Sequence, residues 1–190
     1  LGPAYLVLLV FLFQALAGCS PLTMVNTIAP DDGFVLDKAI SYGPHERQKL
    51  DIYYTEVHKP QMPVLVFFYG GSWRRGDREK YRFVGQALSS RGYVTVIPDY
   101  RLYPDVRFPV FVEDGAASVA WVKENIAESK NGIALIGHSA GAHLAALLAL
   151  LLPVVLLARR QRRRSVLPLL AGMFLVVTLT ATDAQRGEAL

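Results

Sequence analysis

The sequence predicts an α/β fold, a mostly parallel sheet flanked by helices. First, short apolar runs of strand length recur along the chain, and the one at Val64–Phe68 is apolar without interruption, as a strand buried on both faces requires. Second, stretches with helical spacing of apolar residues lie between these runs. Third, the order is strand, helix, strand, helix, strand, the alternation that parallel crossover units produce.

Leu50, Ile52 and Tyr54 alternate with Asp51 and Tyr53, which reads as a half-exposed strand. Val64–Phe68 is the central strand. Tyr81, Val84, Ala87 and Leu88 share one face of a helix closed by Arg91 and Gly92. A third apolar run covers residues 93–97 and stops at Pro98. Val112, Ala116, Val119, Ala120 and Val122 mark the next helix, and residues 133–136 form a strand that runs straight into Gly137. A helix over residues 140–150 is expected to follow.

With 190 residues, the chain can form one domain with a real core, although α/β enzymes with a full sheet usually run longer. The organisation reads as a signal segment at 1–19, a linker at 20–33, a domain at 34–150 and a tail of different character at 151–190. Residues 21–30 look like a polar, small-residue tether. There is no internal repeat.

The formal net charge of +4 is unevenly placed: through Leu150 there are 14 basic and 14 acidic residues, and beyond it 6 and 2. A nucleic-acid surface needs Lys and Arg spread over the folded domain, so that partner class is excluded. With Cys19 the only cysteine, neither an intramolecular disulfide nor a thiolate metal site can be built. An apolar run from Tyr5 to Phe13 leads to Leu16-Ala17-Gly18-Cys19-Ser20, small residues preceding the cysteine as at a secretory cleavage site. The stretch resembles a bacterial lipobox, which implies lipidation at Cys19, export and anchoring to a lipid membrane. Its length of about 14 apolar residues falls short of the ~20 that span a bilayer. No Met opens the chain and no Lys or Arg precedes Lys38, so the start reads as cut.

Chemistry concentrates at Gly137-His138-Ser139-Ala140-Gly141. A serine hydroxyl is a poor nucleophile and must be presented at a sharp turn near a base and near N–H groups that hold an oxyanion. A strand before the motif and a helix after it are the context this elbow needs, with Gly137 and Gly141 permitting tight strand-to-helix packing. Ser139 is therefore the candidate catalytic nucleophile. Tyr69-Gly70-Gly71-Ser72-Trp73 follows the buried strand directly, and paired glycines there let backbone N–H groups approach a ligand. Gly70, Gly71, Ser72 and Ala140 are the candidate oxyanion-hole donors. No metal ligands and no cofactor are indicated.

Asp99 and Arg101 read as a structural ion pair fixing the loop after a strand. His138 should point away from the Ser139 hydroxyl and serve packing. His143, the only histidine after Ser139, sits on a helix leading away from the nucleophile and is a poor candidate base, and His45 and His58 are poorer still.

From Val64 to Leu150, the motifs Tyr69 to Trp73, Ile97 to Leu102, Phe108-Pro109, Glu113-Asp114 and Gly137 to His143 resemble the carboxylesterase branch of the α/β-hydrolases that also holds kynurenine formamidases and prenylcysteine methylesterases. The family usually has His-Gly-Gly where this chain has Tyr69-Gly70-Gly71. The resemblance implies hydrolysis of a small-molecule carboxylic ester or related acyl bond through an acyl-enzyme, without metal or organic cofactor.

In that fold the triad runs Ser, then Asp or Glu, then His. After Ser139 the acids are Asp183 and Glu188, and no histidine follows His143. A serine without its base is expected to work on the order of 10³-fold or more below an intact triad. One expectation is a C-terminally incomplete hydrolase, disrupted by a frameshift or misjoin near Leu150. The other is a genuine tail in which apolar runs at 144–158 and 166–182, flanking Arg159 to Arg164, form a membrane hairpin with the arginines on the cytoplasmic side. The hairpin would pull the helix after Ser139 away from the sheet it must pack against, which favours the first. The functional alternative is a non-catalytic membrane-associated protein that keeps the hydrolase scaffold for binding.

Overall fold

In the computed structural model of the chain, residues 21–30, 32–57 and 61–160 are described. Cys19, His58 and the second apolar run of the tail lie outside them.

Strand β3 (Val64–Phe68) is buried at every position, as its unbroken apolar run requires. It lies between β4 (Val94–Pro98) and β5 (Ile133–Gly137), parallel to both. β2 (Lys49–Tyr54) pairs antiparallel with β4, and β1 (Val35–Ser41) pairs antiparallel with β2. The described sheet thus has five strands in the order β1-β2-β4-β3-β5, mixed but parallel around β3, and helices flank it.

β2 corrects one expectation. Its alternating polarity predicted a half-exposed strand, yet Asp51 and Tyr53 are as buried as Leu50. The Asp51 carboxylate accepts from Arg78 Nε at 2.8 Å and from the Ala39 N–H at 2.8 Å, so the charge is buried because it is paired. Tyr53 is covered by helix α2 (Arg82–Ser89): a Cβ at Gly85 would sit 2.5 Å from the Tyr53 ring. Only glycine allows that approach.

The expected linker is also corrected. Pro21–Ile28 is a helix, α1, docked by Asn26, whose amide donates to the Glu79 carbonyl at 2.7 Å and accepts from the Phe83 N–H at 3.0 Å. Arg82 donates to the Asn26 carbonyl. A polar side chain anchors this helix, which hydrophobic periodicity does not register.

A 3-10 turn, Arg78–Tyr81, leads into α2 and is capped by Asp77, which accepts from the Lys80 N–H at 3.0 Å. α2 ends at Ser89, and the chain turns through Gly92, at φ +86°, into β4. α3 (Val110–Asn125) crosses to β5 by way of a second 3-10 turn, Ala127–Asn131. α4 (Ala140–Arg160) continues ten residues past the expected end at Leu150. Its first half buries Leu144, Ala145 and Leu148, and Gly115 of α3 lets both leucines within 3.1 Å of where its Cβ would be. β5, by contrast, is at the edge of the described sheet and is only partly covered, with Ile136 36% exposed. Among the described residues no helix is long and apolar enough to cross a membrane.

Candidate active site

The site is built where β5 turns into α4. The His138 N–H donates to the Phe68 carbonyl at 3.0 Å, extending the β3–β5 ladder to the elbow. Ser139 then adopts φ +53°, a left-handed conformation that costs a residue with a Cβ about 1–2 kcal/mol. The surroundings enforce it. A Cβ at Gly137 would lie 2.2 Å from the Gly141 carbonyl oxygen, and one at Gly141 would lie 2.0 Å from that of Phe68. Strand and helix are therefore closer than any other residue permits, and the chain between them must turn sharply. The turn leaves Ser139 exposed.

The Gly141 N–H donates to the His138 carbonyl at 2.9 Å, and those of Ala142 and His143 donate to the Ser139 carbonyl at 2.9 and 3.2 Å. Ala140 is the leading residue of α4, where N–H groups have no intrahelical acceptor.

The glycine loop after β3 packs directly on this turn: a Cβ at Gly70 would be 3.0 Å from Ser139 Cβ. Gly71, Ser72 and Trp73 then take φ of +138°, +54° and +61° in succession. Such a run of strained residues persists only where the surroundings over-determine it. The Trp73 ring stacks on Phe111 at 4.4 Å and meets the edge of His143 at 6.2 Å, and the Trp73 carbonyl accepts from the Tyr103 N–H at 2.8 Å.

Both ends of the loop are held by Arg47. Its Nη2 donates to the Tyr69 hydroxyl at 3.0 Å and to the Gly76 carbonyl at 2.9 Å, while its Nε donates to the Tyr100 carbonyl at 3.0 Å. The Tyr69 hydroxyl donates on to Asp99 Oδ1 at 2.8 Å, and the Tyr100 hydroxyl donates to the Tyr69 carbonyl at 2.7 Å. Burial, reinforced by the Asp99 charge, raises the Tyr69 pKa well above its usual value, so the phenol stays a neutral donor. In this chain the residue before the glycines is thus a tyrosine wired to a buried carboxylate.

Tyr81 backs the same loop. Burial raises its pKa, and a hydrogen bond to the Gly70 backbone opposes that shift, as a donated N–H does. The Tyr81 hydroxyl also lies 3.3 Å from His138 Nδ1, and His138 is exposed. His143 lies against Trp73, and His45 serves the turn before β2, its Nδ1 accepting from the Arg47 N–H at 3.1 Å.

Asp99 and Arg101 are structural, but not as a pair with each other. Asp99 is bridged by Arg78, which also reaches Asp51. Arg101 holds Asp114 of α3 in a fork, at 2.9 Å from Nε and 2.7 Å from Nη2. Burial alone would raise the Asp114 carboxyl pKa, but hydrogen bonds from the Arg101 side chain and backbone and from Gln48 bring it below its usual range. Each thus has its own partner, Asp99 with Arg78 and Arg101 with Asp114. Arg47 and Tyr81 were not legible as site residues: each contacts the loop through atoms contributed by distant parts of the chain. Among the described residues no group of three His, Cys, Asp or Glu side chains is placed to hold a metal ion.

The family model described as BD-FAE matches residues 50–161. Kynurenine formamidase of Danio rerio is 31% identical over 137 residues, covering 72% of this chain and 44% of that protein. A probable isoprenylcysteine alpha-carbonyl methylesterase of Arabidopsis thaliana is 35% identical over 112 residues, covering 57% of this chain and 24% of that one. Among solved structures, phosphonate-inhibited esterase B from Lactobacillus rhamnosis has a TM-score of 0.63 at 26% identity, covering 78% of this chain and 50% of that chain. The chain spans half or less of the length of each of these proteins. With the elbow, the glycine loop and the parallel strands β3, β4 and β5 all inside the matched region, the chain belongs to the BD-FAE family and has the α/β-hydrolase fold.

Proposed function

We propose that this chain carries the nucleophile half of a serine hydrolase acting on carboxylic esters. The observation that carries the reading is Ser139 held at φ +53° between two glycines that admit no side chain, with the Gly70–Trp73 loop packed against its Cβ. Ser139 Oγ attacks the acyl carbon, and the charge that develops on the carbonyl oxygen is held by N–H groups drawn from Gly70, Gly71, Ser72 and Ala140. The tetrahedral adduct collapses to an acyl-serine as the alcohol leaves, and water then releases the acid. Fixed backbone donors of this kind are worth about 3–4 kcal/mol each to the transition state.

The proton acceptor for Ser139 is not assigned to a described residue: His138 is engaged by Tyr81, and His143 by Trp73. In this reading, base and acid come from outside the matched residues 50–161, and a chain that fails to supply them is an impaired enzyme. The ester-hydrolysing names of the relatives support the reaction class, and the Cys19 motif supports an exported, lipid-anchored enzyme. A pre-steady-state assay of the full-length gene product with p-nitrophenyl acetate tests the reaction. A burst of one nitrophenolate per chain, lost in Ser139→Ala, is expected; turnover that survives Ser139→Ala would overturn the assignment, and no turnover at all would favour a scaffold used only for binding.

A further inference from the structure

Two arginines from separate loops converge beside the proposed active site. The Arg74 guanidinium carbon lies 4.7 Å from the Tyr103 ring centroid, and that of Arg107 lies 5.2 Å from the same centroid. Both arginines are exposed. The ring attracts each cation through its face, but that contact leaves the N–H edges of the guanidinium forks without acceptors. Three arginines of the scaffold are instead neutralised: Arg47 and Arg78 share Asp99, and Arg101 holds Asp114. Among the described residues neither Arg74 nor Arg107 has an ion-pair partner, although Asp105 is two residues from Arg107 and exposed.

Two like charges gathered on one ring repel each other weakly in water, and an anion that reaches both forks relieves that repulsion. Its position links it to the nucleophile. Gly70 touches Ser139, and Arg74 is four residues further along, at most about 14 Å of chain. The hydrogen bond from the Tyr103 N–H to the Trp73 carbonyl, 2.8 Å long, fixes the second loop to the first. A guanidinium fork matches a carboxylate through paired N–H donors.

We infer that Arg74 and Arg107, stacked on Tyr103, form a subsite for a carboxylate carried by the ester substrate several bonds from the scissile carbonyl. This rests on the hydrolase reading of Ser139 and names a substrate class for it: monoesters of dicarboxylic acids and other carboxylate-bearing esters.

Binding can be measured without catalysis. Trp73 adjoins the subsite, so its emission in a Trp121→Phe background reports occupancy when the full chain is titrated with glutarate or with neutral glutaramide. Saturable binding of glutarate alone is expected, weakened about tenfold or more in Arg74→Gln/Arg107→Gln and weakened by added salt. Equal responses to glutarate and glutaramide, or unchanged glutarate binding in the double variant, would overturn the subsite. Labelling of Ser139 by a fluorophosphonate separates the two readings. Labelling without selective glutarate binding leaves the hydrolase and removes the subsite, whereas glutarate binding without labelling removes the hydrolase and leaves an anion-binding face.

Discussion

Arg47 donates to the Tyr69 hydroxyl at 3.0 Å from the same nitrogen that holds the Gly76 carbonyl at 2.9 Å. One side chain thereby spans the segment that carries Gly71, Ser72 and Trp73 in their left-handed conformations. Removing it leaves a buried phenol and two carbonyls short of a donor, and each such loss costs about 1–3 kcal/mol. Arg47→Ala should lower the urea midpoint by an amount equivalent to about 2–4 kcal/mol. Arg47→Lys should recover only part of it, because one ammonium cannot reach three acceptors in a fixed fork. An unchanged midpoint in Arg47→Ala would mean that the loop holds its strain without the clamp.

The elbow glycines should be far less replaceable than a glycine with open space around it. Gly141→Ala drives a Cβ to 2.0 Å from the Phe68 carbonyl oxygen, backbone that cannot move aside, whereas Gly92 has nothing within 4 Å and only its φ of +86° to oppose a side chain. Chemical denaturation should show a loss of about 1 kcal/mol for Gly92→Ala and a loss of about 3 kcal/mol or more, or failure to fold, for Gly141→Ala.

Asp114 predicts the direction of part of the acid sensitivity. Its folded pKa is lowered below the usual 3.8; the sign then follows by linkage. The unfolded chain binds the proton more readily, so the stabilisation is complete above the unfolded value and is lost as pH falls through the folded one. Unfolding free energies measured from neutral pH down to pH 2 should therefore fall less steeply in Asp114→Asn than in the parent, from a lower starting stability. Equal slopes would show that Arg101 does not hold Asp114 in its charged form.

Membrane attachment is a separate expectation carried by the Leu16 to Ser20 motif. In a bacterial host that processes lipoproteins, the full-length gene product should partition into the detergent phase of a Triton X-114 extraction, and Cys19→Ser should move it to the aqueous phase. Detergent partitioning that survives Cys19→Ser would locate the attachment elsewhere.

The parts of this molecule that could be read in sequence are those where one local pattern determines structure. β3 is unbroken apolar sequence because both its faces are covered, and the Ser139 elbow is legible because sharp turns at a strand end need glycine at defined spacing. What escaped the reading depends on distant partners. The buried Asp51 of β2 is stable only through Arg78, 27 residues away, and Ala39, so its polarity was mistaken for exposure. α1 escaped for the same reason, being docked by Asn26 onto residues more than fifty positions on. At the site, Ser139 and the two glycines flanking it were legible, whereas the Arg47 clamp and the Tyr81 contact to Gly70 were not. No local spacing links Arg47 to Gly76 or Tyr81 to Gly70.

The central claim is that Ser139 is a nucleophile. Intact-mass and peptide mass spectrometry of the full-length gene product after exposure to a fluorophosphonate tests it most directly. One phosphonyl adduct per chain, located on Ser139 and abolished by heat denaturation and by Ser139→Ala, is the predicted result. A folded protein with no adduct, or an adduct on another residue that persists in Ser139→Ala, would contradict it.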